Sequence, residues 1–217
     1  MARGDPNDRE RLSLPGGFVL TEEITGLVLS GGRGRRMGGM DKGLVPYQGR
    51  ALILYALEAL KSQTDRILIN ANRNLAAYRE LGYPVICDPD SDFKGPLSGI
   101  LAGMRKASTP WMLTMPCDMP KVTDEVLTRL VSASQSHDAP LLIAHDGQRL
   151  QPLLMLTSTN LGSSLEDYLN QGGRRVDQWV QSLPHQVVDL SDLHLSLVNF
   201  NDFEALDSRW REPLDFL

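Results

Sequence analysis

The chain has 217 residues, with 22 Lys plus Arg against 27 Asp plus Glu, 41% apolar residues, 19 Gly, 13 Pro and 2 Cys. A chain of this length buries roughly 70% of the surface its unfolded form exposes, so one core needs neither disulfides nor a structural metal. A net charge of −5 without a basic run longer than a pair excludes the broad cationic face of a nucleic-acid binder, and no stretch approaches the ~18 consecutive apolar residues of a membrane helix.

Residues 1–23 mix Gly4, Pro6, Pro15 and Gly17 with charges of both signs and lack an apolar signal core, so they read as a flexible leader. Within it, Phe18, Val19 and Leu20 form a short apolar piece that could cover something but is too brief for a signal sequence. The scarcity of cysteine suits a reducing compartment, and a cytoplasmic protein is expected.

From Ile24 short apolar runs alternate with longer amphipathic ones, the rhythm of βαβ units. Strands are expected at Ile24–Leu29, Arg66–Asn70, Val85–Asp88 and Trp111–Met115. Leu52, Tyr55, Ala56, Ala59 and Leu60 recur at helical spacing, as do Leu97, Ile100, Leu101 and Met104. These helices would make right-handed crossovers between parallel strands. A helix over Thr123–Ser134 follows, with Thr123 as N-cap and Asp124 and Glu125 in its acidic first turn. Leu141–Ala144 and Pro152–Leu156 then pair as strands around His145, Asp146 and Gly147. Helices at Ser163–Asn170 and Val176–Leu183 and strands at Gln186–Leu190 and Leu197–Asn199 complete the pattern. The expected fold is α/β, a three-layer α/β/α, Rossmann-like arrangement around a mostly parallel sheet, with residues 24–217 as one domain.

The most informative stretch is Leu29–Leu44, LSGGRGRRMGGMDKGL, which follows the first strand directly. Gly31, Gly32, Gly34, Gly38 and Gly39 have no Cβ to keep phosphate oxygens from the backbone N–H groups. Arg33, Arg35, Arg36 and Lys42 add cations. A P-loop is excluded because Lys42 is followed by Gly43 and not by a hydroxyl residue, and a dinucleotide fingerprint because Met37 stands at its third glycine. The remaining readings are a phosphate cradle and a glycine-rich surface loop with solvated arginines.

GGRGRRMGGMDKGL resembles the signature of nucleotidyltransferases of the glycosyltransferase-A type, specifically the molybdenum cofactor guanylyltransferases. The resemblance extends through NANR at 70–73, GPLSG at 95–99, PCDMP at 116–120, RRV at 174–176 and VNFN at 198–201. Ser30 stands where the family usually has Ala, and NFNDFEAL departs from the family's N-x-N-T-P-E-[ED]-L. The resemblance implies the glycosyltransferase-A-like sheet, with 24–120 as a nucleotide-binding half and 121–217 as an acceptor-binding half. It also implies transfer of GMP from GTP to the terminal phosphate of molybdopterin, with Mg²⁺ and release of pyrophosphate.

Nucleotidyl transfer builds negative charge on the α-phosphoryl oxygens and on the leaving pyrophosphate, so catalysis is positioning and neutralisation. Arg36 and the glycine loop suit the β- and γ-phosphates, and Lys42 the α-phosphate. Asp118, just beyond the fourth strand at the carboxyl edge where open α/β sheets place ligands, is the expected Mg²⁺ ligand; its structural alternative is a turn aspartate. The acceptor phosphate is largely dianionic at pH 7 and needs no general base, so His137, His145, His185 and His194 are expected in loop or edge roles. Asn70 and Asp88 end the second and third strands, where a carboxylate can accept the N1–H and N2–H₂ pair of guanine. The resemblance makes these two nucleotide-binding, together with Leu29, Ser30, Gly31 and Gly32. Gly95 and Gly99 open a helix N-terminus that suits an anion, Arg174 and Arg175 a clamp for the acceptor's phosphate or pterin, and Asn199 and Asn201 a contact with metal or acceptor. Cys87 and Cys117 each precede a site aspartate and are expected as small buried hydrophobes. Expected partners are GTP and molybdopterin for a monomer that touches neither nucleic acid nor membrane, with transient contact to other molybdenum cofactor proteins or recipient oxidoreductases. The alternatives are cytidylyl transfer to molybdopterin, sugar-phosphate nucleotidyl transfer in the same fold, and a non-catalytic binding partner.

Overall fold

The computed structural model describes residues 19, 21–30, 41–89, 95–136 and 138–200. In chain order these form β1 (Ile24–Leu29), β2 (Pro46–Tyr47), β3 (Arg50–Ala51), α1 (Leu52–Lys61), β4 (Ile67–Asn70), α2 (Leu75–Arg79) and β5 (Val85–Ile86). There follow α3 (Pro96–Lys106), β6 (Trp111–Pro116), α4 (Asp124–Ser132), β7 (Leu141–His145), β8 (Leu150–Ser158), α5 (Gly162–Asn170), α6 (Val176–Gln181) and β9 (Gln186–Asp189). The described residues build a seven-stranded sheet of order β5-β4-β1-β6-β8-β7-β9. β8 alone runs against its neighbours β6 and β7, and the other pairings are parallel.

β1 and β6 lie at the centre and every residue in them is buried. Strands covered on both faces carry unbroken apolar runs, so these two were legible without any alternation. Successive side chains still point to opposite faces. Ile24 and Val28 join Ile53, Ala56 and Leu60 of α1 and Val126, Leu127 and Leu130 of α4 in one core layer. Leu27 and Leu29 join α3, α5 and the fully buried Trp179 of α6 in the other. The three-layer α/β/α architecture with a mostly parallel sheet is therefore present. No helix among the described residues is long and apolar enough to cross a membrane.

Gly103 shows how closely α3 sits on the sheet. A Cβ there would lie 2.6 Å from Leu27 Cδ2 and 2.8 Å from the Met112 sulfur. Gly103→Ala is expected to lower the unfolding free energy by about 1–3 kcal/mol through overpacking, seen as a lower urea midpoint at unchanged slope; an unmoved midpoint would contradict this packing.

The chain differs from the sequence reading in a few places. Leu197–Asn199 is not a strand: a 3₁₀ stretch over Ser191–Ser196 ends β9's run, and the chain then turns back so that the Phe200 N–H donates to the Asp118 carbonyl at 2.6 Å. Leu197 is apolar because it enters the core, not because it pairs in the sheet. The third strand stops at Ile86, since the Asp88 N–H donates to the Asn72 side chain at 2.9 Å instead of to the ladder. Cys87 is exposed, against expectation, while Cys117 is buried. The β2–β3 hairpin is additional; Gln48 and Gly49 both take positive φ, 48° and 79°, as a two-residue turn matched to strand twist requires. At the leader end, Val19 packs into the core and Thr21–Glu23 form a 3₁₀ turn, with Arg66 donating to the Glu22 carbonyl at 2.7 Å.

Candidate active site

Leu29 pairs in register with Asn70 of β4 on one side and Pro116 of β6 on the other. Two bonds continue those ladders past the strand ends: Ser30 N–H to the Asn70 carbonyl at 2.9 Å and Cys117 N–H to the Leu29 carbonyl at 3.2 Å. Ser30, Asn70 and the turn bearing Asp118 are thereby fixed side by side at the carboxyl edge. The Leu29 side chain belongs to the core, so this residue can offer a ligand only its backbone. The Ser30 hydroxyl is buried.

Lys42 and Asp118, separated by 76 positions in sequence, meet here with Nζ 2.5 Å from Oδ2. Each side chain keeps about a fifth of its surface exposed (20% and 19%), so a ligand arriving at the edge can reach both. The other carboxylate oxygen, Asp118 Oδ1, is buried and accepts no hydrogen bond from the described residues. Asn199 precedes Phe200, whose N–H is bonded to the Asp118 carbonyl, so the returning chain brings the backbone at Asn199 close to that of Asp118. Phe200 is anchored edge-on against Tyr47 at 5.8 Å between ring centroids.

On the β4–β5 side, Asn70 Nδ2 donates to Asp88 Oδ1 at 2.9 Å. Gly99 lies beneath this pair: a Cβ would stand 2.7 Å from Asn70 Cγ and 3.0 Å from Leu29 Cδ2. Gly99 is buried within α3, so it makes room for Asn70, and the acceptor contact expected of it is not available to its surface. Gly95, at φ 83°, begins α3 next to the Arg174 carbonyl, 3.9 Å from where a Cβ would sit. The two loops expected on the acceptor side, GPLSG and GGRR, are thus neighbours. Arg174 donates to the Leu169 and Gly173 carbonyls at 2.9 and 2.5 Å, while Arg175 forks onto Asp177 at 3.1 and 2.6 Å and holds that carboxyl below its usual range. Gly31, Gly32, Arg36 and Asn201 lie outside the described residues.

Burial, reinforced by the charge of Asp118, pushes the Cys117 thiol up to about 12, so it stays protonated at neutral pH and is no nucleophile. His145, His185 and His194 use Nδ1 in local turn bonds to Gly147, Leu183 and Ser191. No group of three or more His, Cys, Asp or Glu side chains placed to hold a metal occurs among the described residues.

The chain matches the MobA-like NTP transferase domain over residues 26–187. It is 44% identical over 195 residues to the molybdenum cofactor guanylyltransferase of Cupriavidus metallidurans, covering 87% of this chain and 95% of that protein. It is 46% identical over 180 residues to the protein of the same name from Methylibium petroleiphilum, covering 79% and 89%. The chain belongs to the molybdenum cofactor guanylyltransferase family. The crystal structure of molybdopterin-guanine dinucleotide biosynthesis protein A from Archaeoglobus fulgidus superposes with a TM-score of 0.68 at 25% identity, over 82% of this chain and 93% of that one. The sheet is accordingly the family's nucleotidyltransferase fold. The matched domain takes in Lys42, Asn70, Asp88, Asp118, Arg174 and Arg175 and stops before Asn199.

Sequence reasoning missed a second buried cluster beside this site. Asp41 accepts from Tyr78 Oη at 2.5 Å and from Asn74 Nδ2 at 3.0 Å. Asn72, which caps the Asp88 N–H, was equally unforeseen. The signal that could have found both is the run NANRN at 70–74, four side chains of one loop with hydrogen-bonding ends.

Proposed function

We propose that the protein transfers GMP from GTP to the terminal phosphate of molybdopterin. An oxygen of that phosphate attacks the α-phosphorus, the bond to the bridging oxygen of the β-phosphate breaks, and pyrophosphate leaves with the electron pair. The observation that carries this reading is the Lys42–Asp118 pair at the carboxyl edge of a family nucleotidyltransferase sheet. A binding protein has no need to bring a cation and a carboxylate together where an α-phosphate would lie.

The Lys42 ammonium is a compact point charge suited to the non-bridging α-phosphoryl oxygens as they gain charge. Gly31, Gly32 and Arg36 are assigned to the β- and γ-phosphates, Arg174, Arg175, Asn199 and Asn201 to the acceptor, and Gly95 to the loop that meets Arg174. Gly99 serves by seating Asn70. Asp118 fits a hard divalent cation: its Oδ1 is a buried acceptor with no hydrogen bond from the described residues, and a single carboxylate suits an ion that keeps water and phosphate as its other ligands. When bound there, Mg²⁺ would neutralise the triphosphate and the departing pyrophosphate.

Asp88 is assigned to the guanine edge, with Asn70 holding its Oδ1. Asp88→Asn is expected to weaken GTP binding roughly 10-fold or more, the scale of a charge-assisted hydrogen bond, and to erode the preference for GTP over CTP; unchanged binding and preference in calorimetric titration would remove the base-reading role. The reaction itself is tested by pyrophosphate release from GTP, which is expected only when the molybdopterin acceptor is present.

A further inference from the structure

Asp41 is a carboxylate with 2% of its side-chain surface exposed, one residue before the cation that meets Asp118. Burying a carboxylate is costly unless its oxygens are satisfied, and here one short segment satisfies them. Tyr78, fully buried in α2, donates to Oδ1 at 2.5 Å; Asn74, in the left-handed conformation at φ 50°, donates to Oδ2 at 3.0 Å; Arg73 Nε stands 3.9 Å from Oδ2. Burial and then the Asp41 bond raise the Tyr78 phenol above its usual range, so it remains a donor.

The carboxylate in turn fixes the backbone that carries Lys42. The Asp41 carbonyl accepts the Leu44 N–H at 3.0 Å, closing the 3₁₀ turn Lys42–Leu44. Gly43 completes the fit: a Cβ there would meet the Tyr78 hydroxyl at 2.5 Å and the Ser30 hydroxyl at 3.0 Å. The turn is held from the α2 side, against the end of β1, with Lys42 projecting to Asp118.

We infer that Tyr78 and Asn74 are positioning residues that act through the buried carboxylate of Asp41 to aim Lys42 at the reacting α-phosphate. The inference rests on the guanylyl-transfer reading for the identity of the phosphate. The same loop holds both flanks of the site, since Asn70 and Asn72 bind Asp88 while Asn74 binds Asp41.

The test is a double-mutant cycle between Tyr78→Phe and Lys42→Ala, read both in kcat and in the dissociation constant of GTP. Tyr78→Phe alone is expected to lower kcat about 10-fold and to weaken GTP binding about 5-fold, and in both readouts the double variant is expected to fall no further than Lys42→Ala within about 2-fold. A residue that merely keeps the protein folded would reduce both backgrounds by the same factor, and such multiplicative losses would overturn the inference. Asn74→Gly keeps the left-handed backbone while removing the donor; it carries the same test, with an expected loss of about 3–10-fold, if the phenylalanine variant does not fold. A native protein that binds GTP yet makes no guanylated pterin would sink the reaction reading alone, because the cycle in GTP affinity stands without an acceptor. A native protein that binds no GTP would contradict both.

Discussion

Asp118→Asn is expected to cut guanylyl transfer by about 10³-fold, roughly 4 kcal/mol of transition-state stabilisation. The amide is nearly isosteric, so the turn after β6, held by the Phe200 N–H on the Asp118 carbonyl and by Cys117 N–H on Leu29, has no reason to move. What is lost is charge, and it is lost twice. Lys42 no longer has the anion 2.5 Å away that holds its ammonium at the edge, and the buried second oxygen no longer belongs to a carboxylate able to retain a divalent cation. GTP affinity should fall by less than rate, since the base-side pair Asn70–Asp88 is untouched. Initial rates of pyrophosphate release across a Mg²⁺ titration check this: the residual activity of the variant should need far more Mg²⁺, and activity within 10-fold of native at ordinary Mg²⁺ would contradict the assignment.

Lys42→Ala is expected to lower kcat by about 10²–10³-fold, the range found when one preorganised donor to a developing oxyanion is removed. KM for GTP should rise as well, because the variant leaves the Asp118 charge unopposed in front of an incoming triphosphate. Stability should fall by about 1–3 kcal/mol, since only about a fifth of each side chain is in water (20% and 19%) and removing the cation leaves the Asp118 carboxylate unpaired. Lys42→Arg restores charge without the compact ammonium, and only partial recovery is expected. Steady-state kinetics beside urea denaturation separate the two effects. A large fall in stability with unchanged kcat per folded molecule would make the pair structural.

The halves of the fold were unequally legible, and the reasons are physical. β1, β4 and β6 are buried on both faces, so their sequences are continuous apolar runs bounded by turn residues, and each was placed within a residue of its end. Leu197 gave a false strand at Leu197–Asn199 because an apolar residue entering a core from a loop has the same signature as one entering from a sheet. The hairpin at Gln48–Gly49 escaped because its first positive-φ position carries glutamine and not the usual Asn, Asp or Gly. At the site, Lys42, Asn70, Asp88 and Asp118 stand out in sequence because glycine-loop, strand-end and family signals fall on them, and the structure pairs Lys42 with Asp118 and Asn70 with Asp88. The partnership of Lys42 with Asp118, across 76 residues, has no local trace. Nor does the burial of Asp41 against Tyr78 and Asn74, more than thirty residues along the chain.

The most direct test of guanylyl transfer is the mass of the pterin product when purified protein, Mg²⁺ and a molybdopterin source are supplied in parallel with GTP, CTP and ATP. Guanylated pterin and pyrophosphate are expected from GTP, none from ATP, and loss of product with Asp118→Ala. Cytidylated product from CTP at a rate matching GTP would contradict the role given to Asp88, and no product from any nucleotide, with an acceptor proven on a known enzyme, would contradict guanylyl transfer itself.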